Sequence, residues 1–240
     1  MAKVLEFHYD LLSQPCRAVY LFLKCSGVQF KGHTLSILKG EHMKPEYLKI
    51  NPFHKVPVII DGDFILAESA AIMRYVATTK LKAADDHWYP KADAKKQARV
   101  DEFLHWQGSA IRAHCITVFL GMFKAKIDID GTGKKPLDVE KDQAAKEEIK
   151  RGVQNIADYF LKDQKKQKKQ FIAGDKVSAA DILGVCELYQ LHGVDQLESL
   201  VKSNPDVKAW MERVEKALGR EWNTANAVVN SVREQYMTAK

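Results

Sequence analysis

The chain has 240 residues, 46% of them hydrophobic and 28% charged, the balance of an ordinary globular protein. That excludes a disordered, collagenous or coiled-coil chain and leaves room for one large or two modest domains. Lys and Arg number 37 against 31 Asp and Glu, a net charge of +6 that permits an anionic partner without requiring one.

No stretch approaches the ~20 apolar residues of a membrane helix, and the opening residues lack a leader's hydrophobic core. The expectation is a cytoplasmic protein with no membrane partner. Its four cysteines, Cys16, Cys25, Cys115 and Cys186, form no Cys-x-x-Cys pair and no zinc-spaced set with histidine. They read as reduced, mostly buried thiols, and no metal is expected.

Val4–Tyr9 alternates, with Leu5, Phe7 and Tyr9 on one face, and reads as a strand. A short turn, Leu11–Pro15, leads into a helix, Pro15 suiting the first turn because its missing N–H would have no partner there. Gly27 ends that helix and Phe30–Ile37 reads as a second strand. Val58–Ile60 and Phe64–Leu66 flank Asp61-Gly62-Asp63, a β-hairpin signal. Glu68-Ser69 opens the next helix, whose apolar face is Ile72, Tyr75 and Val76. The order βαβ, ββ, α is the thioredoxin-like arrangement: a four-stranded mixed sheet with helices on both sides.

Residues 81–92 are polar and read as a linker. From Asp93 the patterns are helical, and the fold class is α/β plus all-α: a thioredoxin-like domain over 1–80 and an all-helical domain over 93–240. Val100, Leu104, Ile111, Cys115, Val118 and Met122 follow one helical stripe, widened by Phe103 and Trp106. A helix is expected over Val139–Leu161, another after Asn204-Pro205, and a last one over Glu221–Tyr236. Ser178 and Asp181 have the spacing of a capping box, a structural reading set against an active-site Ser/Asp pair. The basic run Lys162–Gln170 reads as a solvated helix end and loop, with a nucleic-acid or membrane surface as the alternative. No nucleic-acid partner is expected.

A small α/β domain followed by helices leaves a cleft between them, a common place for a ligand. Ser13 stands between the first strand and the first helix, where backbone N–H groups and the helix dipole favour negative charge. Val56-Pro57 offers a backbone edge. A cis proline there would leave the Val56 N–H and C=O free for an extended peptide.

The sequence resembles the cytosolic glutathione transferases, the theta class above all. The residues that carry the likeness are LLSQPCRAVY (Leu11–Tyr20), KGEH (Lys39–His42), INPFHKVPVIIDGDFILAES (Ile50–Ser69), WYP (Trp88–Pro90), RVDEFLHWQ (Arg99–Gln107) and FIAGDKVSAADI (Phe171–Ile182). They run in order along essentially the whole chain. The Ser-Gln-Pro after the first strand separates theta-like members from classes that use Tyr or Cys.

The resemblance implies a homodimer with glutathione as co-substrate. Small electrophiles would accept its thiolate: alkyl or aralkyl halides, or hydroperoxides. It makes Ser13 the residue that donates a hydrogen bond to the glutathione sulfur. A thiol titrates near ~8.5, and lowering that by two units takes roughly 2.7 kcal/mol of preference for the thiolate. A charge-assisted hydrogen bond supplies about 1.5–3 kcal/mol and a helix N-terminus up to ~1. The resemblance further implies that Val56 pairs main chain to main chain with the cysteinyl unit. Glu68 and Ser69 would hold the γ-glutamyl end, and His42, Lys55 and Gln14 would address the glycyl carboxylate. A simple helix cap is the alternative for Glu68-Ser69, and solvent exposure for His42 and Lys55.

On a regular helix Asp101, His105, Gly108 and Arg112 fall within an arc of about 60°. Arg112 matches an arginine that theta members place near the sulfur, with a dimer contact as its alternative. Ser109 stands where some members carry an acid, and the C-terminal tail is shorter than in vertebrate members. Two other functions share these features: a thiol oxidoreductase working through Cys16, and a non-catalytic binding or scaffold protein on the same fold.

Overall fold

The chain is described here from a computed structural model covering residues 4–129, 131–163 and 165–239. β1 (Leu5–Tyr9) runs parallel to β2 (Phe30–Thr34), and α1 (Gln14–Cys25) crosses between them. The short helix α2 (Pro45–Leu48) precedes β3 (Val58–Asp61), which pairs antiparallel with β1 and with β4 (Phe64–Ala67). The sheet order is β2-β1-β3-β4, so β2 and β4 are the edges. The alternation expected in β1 is present, with Leu5 and Phe7 buried in the core. β2 stops at Thr34, three residues short of the expected end. α3 (Ser69–Lys80) closes this part of the molecule.

Helices follow: α4 (Ala94–Gln107), α5 (Ala113–Lys126), α6 (Val139–Asn155), α7 (Ala179–Tyr189), α8 (Pro205–Leu218) and α9 (Arg220–Thr238). α7 is buried along nearly its whole length and packs on both α1 and α4. The approach to α4 is close because Gly184 has no side chain: a Cβ there would lie 2.7 Å from Phe103 Cζ. Asp181 anchors the start of α7. Its carboxylate accepts from the Ser178 N–H (2.9 Å), the Ser178 hydroxyl (2.7 Å), the Ile172 N–H (2.9 Å) and Trp210 Nε1 (2.8 Å). The capping box is thus also the tie between the loop before α7 and α8.

Buried and half-buried polar groups join the sheet half to the helical half. Arg17, fully buried on α1, donates to the carbonyls of Leu11, Leu12 and Cys186 and to Gln190 Oε1 at 2.7 Å. Arg74 on α3 pairs with Asp101 on α4 at 2.6 Å, and Tyr89 donates to the same carboxylate.

One expectation fails between α4 and α5. Gly108–Arg112 forms a wide π turn that interrupts the regular spacing. The row of Asp101, His105, Gly108 and Arg112 therefore does not persist. Asp101 faces Arg74 and Tyr89, His105 is exposed with Nδ1 2.7 Å from the Asp101 carbonyl oxygen, and Arg112 turns to Glu187.

The basic run is a tight loop. Lys162 and Lys168 form an isolated antiparallel bridge and are paired to Asp158 (2.7 Å) and Asp206 (2.6 Å). Lys169 donates to the Ile172 carbonyl, and burial beside Arg99 pulls its ammonium down to about 8. Gln164, within the run, lies outside the described residues.

Candidate active site

Asp10 organises the turn that carries the site. Its Oδ1 accepts the Leu12 N–H (2.9 Å), its Oδ2 the Ile37 N–H (2.9 Å), and its carbonyl the Ser13 N–H (3.0 Å). Ser13 is thereby held as the N-cap residue of α1, with its carbonyl accepting from the Arg17 N–H (3.0 Å). Its side chain makes no capping bond, although serine at this position commonly does. The hydroxyl is left at the mouth of the helix, beside the Cys16 sulfur.

A cavity of about 450 Å³ opens over this point. Its polar side holds Ser13, Gln14, His42, His54, Lys55 and Val56, and Arg112 and Gln190 face them from the helical half. Three polar atoms here are buried without a partner: Gln14 Nε2, His42 Nδ1 and His54 Nδ1. Such groups ordinarily find a partner, so three around one cavity point to a polar occupant. Burial lowers the proton affinity of His42, and the neighbouring Lys55 and His54 lower it further.

The Val56-Pro57 peptide bond is cis. Tyr47 Oη and Asn51 Nδ2 both donate to the Lys55 carbonyl, at 2.6 and 2.8 Å, and fix the approach to it. Val58 pairs with Ala67 across the hairpin, which sets Val56 near Glu68 and Ser69. Those two residues do not line the cavity with Ser13. Glu68 has φ +67°, an uncommon conformation for a residue with a side chain, and it makes no side-chain cap. A cap therefore does not account for the Glu68 side chain.

Arg112 pairs with Glu187 at 2.6 Å, and Glu187 is fully buried on α7. Burial pushes the Glu187 carboxyl up, opposed by the Arg112 charge. The other wall of the cavity is apolar: Ile116, Phe119, Leu120 and Phe123 on α5, with Ile37 and Leu38 opposite. Behind it Val232 and Tyr236 of α9 pack with Phe119 and Phe123.

Sequence reasoning missed this wall, together with His54, Gln190 and Lys124 at its margins. His54 lies within the INPFHKVP stretch and was open to notice; the apolar residues carried no signal distinct from core. Cys16 is fully buried and its thiol is pushed up to about 12 by burial, so it offers no thiolate for disulfide exchange. Ser109 is exposed and faces the Trp106 carbonyl rather than the cavity.

The sequence matches the family models described as the glutathione S-transferase N-terminal domain, over residues 8–78, and the glutathione S-transferase C-terminal domain, over residues 111–217. Glutathione S-transferase theta-1 of Mus musculus is 36% identical over 232 residues, covering 96% of this chain and 91% of that protein. Human glutathione S-transferase T1-1 in its apo form superposes with a TM-score of 0.81 at 33% identity, covering 96% of this chain and 91% of the other. A human theta-class enzyme solved with the glutathione conjugate of 1-menaphthyl sulfate gives a TM-score of 0.80 at 34% identity, covering 98% and 91%. The chain belongs to the theta class of the glutathione transferases. It is an enzyme that conjugates glutathione, its co-substrate, to electrophiles.

Proposed function

We propose that Ser13 stabilises the glutathione thiolate, and that the apolar wall on α5 receives a small alkyl or aralkyl electrophile. The observation that carries this is the Ser13 hydroxyl: it stands at a helix N-terminus, facing a cavity, and caps nothing. A sulfur placed there receives a hydrogen bond and the positive end of the α1 dipole. Together these supply about the 2.7 kcal/mol that moves a thiol two units below ~8.5. No general base is needed, because binding itself selects the thiolate.

The other contacts follow from glutathione's shape. Val56 offers its N–H and C=O to the cysteinyl unit. Gln14, His42 and Lys55 receive the glycyl carboxylate, which would satisfy the unpartnered atoms of Gln14 and His42. Glu68 and Ser69, just past the hairpin, receive the γ-glutamyl ammonium and carboxylate. Arg112, held by Glu187, stabilises the anion that leaves the electrophile. The aralkyl class rests on the wall's apolar lining and on the menaphthyl conjugate bound by the human relative. Hydroperoxides are included because the same thiolate can attack their oxygen. We further propose a cytoplasmic homodimer built from a sheet domain over 1–80, a linker over 81–92 and a helical domain over 93–240; among the described residues no helix is long and apolar enough to cross a membrane.

The test is the ionisation of bound glutathione, followed by thiolate ultraviolet absorbance across pH in the wild type and in Ser13→Ala. The wild type should show the apparent thiol pKa well below ~8.5 and the variant should return it near that value. An unchanged titration in the variant removes Ser13 from the role.

A further inference from the structure

Beyond the glutathione cavity, one group of ligating side chains has no part in conjugation. Parallel pairing of β1 with β2 sets His8 opposite His33, and their rings stack at 4.5 Å with 7° between planes. Glu6 lies two residues before His8 and so on the same sheet face. Its Oε2 is 2.7 Å from His33 Nε2. One ligating atom from each of the three residues falls within 4.8 Å of the others. This face is opposite the one that buries Leu5 and Phe7, and none of the three residues lines the cavity.

We propose that Glu6, His8 and His33 bind a divalent transition metal ion of the zinc class, clipping the edge strand β2 to β1.

Two imidazoles and one carboxylate, with a fourth position left to water, form a donor set that zinc favours. His8 Nε2 is buried with no hydrogen-bond partner, a cost that an unfilled polar site explains. Glu6 Oε2 and His33 Nε2 already approach each other to 2.7 Å on this face. A tetrahedral zinc with bonds of ~2.0–2.2 Å needs donor atoms roughly 3.4 Å apart. From a separation of up to 4.8 Å the widest pair would close by as much as about 1.4 Å, and Glu6 Oε2 and His33 Nε2, 2.7 Å apart, would open by about 0.7 Å. The Glu6 and His33 side chains, 40% and 32% exposed, have room to do so and leave the ion a path from solvent. Because β2 is an edge strand, the ion would tie down the sheet margin with fewest neighbours.

The experiment uses the full-length, tag-free protein stripped with a chelator. Zn²⁺ is titrated by calorimetry and Co²⁺ by visible absorption, in the wild type and in Glu6→Gln, His33→Gln and His42→Gln. The wild type should bind one equivalent and give the intense d–d bands of a four-coordinate cobalt site. Glu6→Gln and His33→Gln should each weaken binding by at least the roughly 10–100-fold that even an outer-shell change costs. His42→Gln, at the cavity, should leave it unchanged. Zn²⁺ should raise the wild-type Tm and not that of His33→Gln. Metal-free conjugation activity equal to wild type shows that His33→Gln is folded. Binding that survives His33→Gln, or that disappears with His42→Gln, or no saturable binding in the wild type, overturns the site.

Discussion

Ser13 and Ser178 are both N-cap residues, and the two helix starts are built for opposite ends. Ser178 opens α7 in a fully buried setting, and its N–H and hydroxyl are both bound to Asp181. Ser13 opens α1 at the edge of a cavity, and its side chain caps nothing. The backbone explains the contrast. At α1, Pro15 removes one of the N–H groups that would seek a cap, and Asp10 in the preceding turn holds the Ser13 N–H through its carbonyl. The turn is therefore kept in place without a capping bond from the hydroxyl, which lies against the Cys16 sulfur at the edge of the cavity. At α7 no such substitute exists, and the Ser/Asp pair is consumed by structure.

The largest effect expected from this comparison is on the structural start. Asp181→Ala leaves the Ile172 N–H, the Ser178 N–H and Trp210 Nε1 buried without an acceptor. At about 1–3 kcal/mol for each unsatisfied group, the loss exceeds ~3 kcal/mol. For a chain of this size that is a fall in Tm on the order of 10 °C, measurable by calorimetry. A variant that melts with the wild type would mean that the carboxylate carries no structural load.

Ser13→Ala is the mirror case. Turnover should fall about 100-fold, matching the ~2.7 kcal/mol assigned to thiolate stabilisation. Stability should stay within roughly 0.5 kcal/mol, because no capping bond is lost. Steady-state kinetics should place the loss in kcat rather than in the KM for glutathione. A drop in Tm comparable to that of an N-cap deletion, about 1 kcal/mol, would erase the distinction between the two serines.

The Arg112–Glu187 pair lies between these extremes, since it serves the cavity and the core at once. Arg112→Ala leaves the buried Glu187 without its cation. The cost of breaking a buried pair is about 3–5 kcal/mol, discounted here to roughly 1–3 because Arg112 is 37% exposed and water can enter. Glu187 already has its folded pKa raised by burial. A carboxyl of that kind favours the folded state most below its unfolded pKa, and that contribution is lost as pH rises through the folded value. Removing Arg112 raises the folded value further. The deficit of the variant against wild type should therefore widen from about pH 4.5 upward, read by denaturant titration at several pH values. A deficit that narrows with pH contradicts this sign.

The polar half of the site was legible in the sequence because its residues are the wrong kind for their places. A serine before a helix-starting proline, a Val-Pro inside a sheet approach and a cation between two turns each demand an explanation. The first strand and the hairpin were legible through alternation and the Asp-Gly turn. The π turn at Gly108–Arg112 left no such mark, because apolar residues continue on both sides of it and a single widened turn shifts the phase without breaking the pattern. Arg17 was equally silent: besides the nearby Leu11 and Leu12 carbonyls, its charge is absorbed by the Cys186 carbonyl and Gln190, which lie far along the chain.

The α5 wall was hidden for a different reason, and the smallest predicted effect tests it. Ile116, Phe119, Leu120 and Phe123 have helical spacing, so on sequence they are core. A ligand wall of this kind is core with one neighbour missing, and only the fold shows which neighbour. Phe119 and Phe123 are buried within the wall and packed against Val232 and Tyr236 behind it, whereas Leu120 is 38% exposed beside the cavity. Leu120→Ala removes apolar contact worth about 1 kcal/mol from a bound electrophile and little from the folded protein. The KM for an aralkyl halide should rise several-fold while that for glutathione stays put, and the ratio between large and small electrophiles should shift toward the small. If both substrates weaken together, the wall belongs to the core after all, and the electrophile lies elsewhere over Ser13.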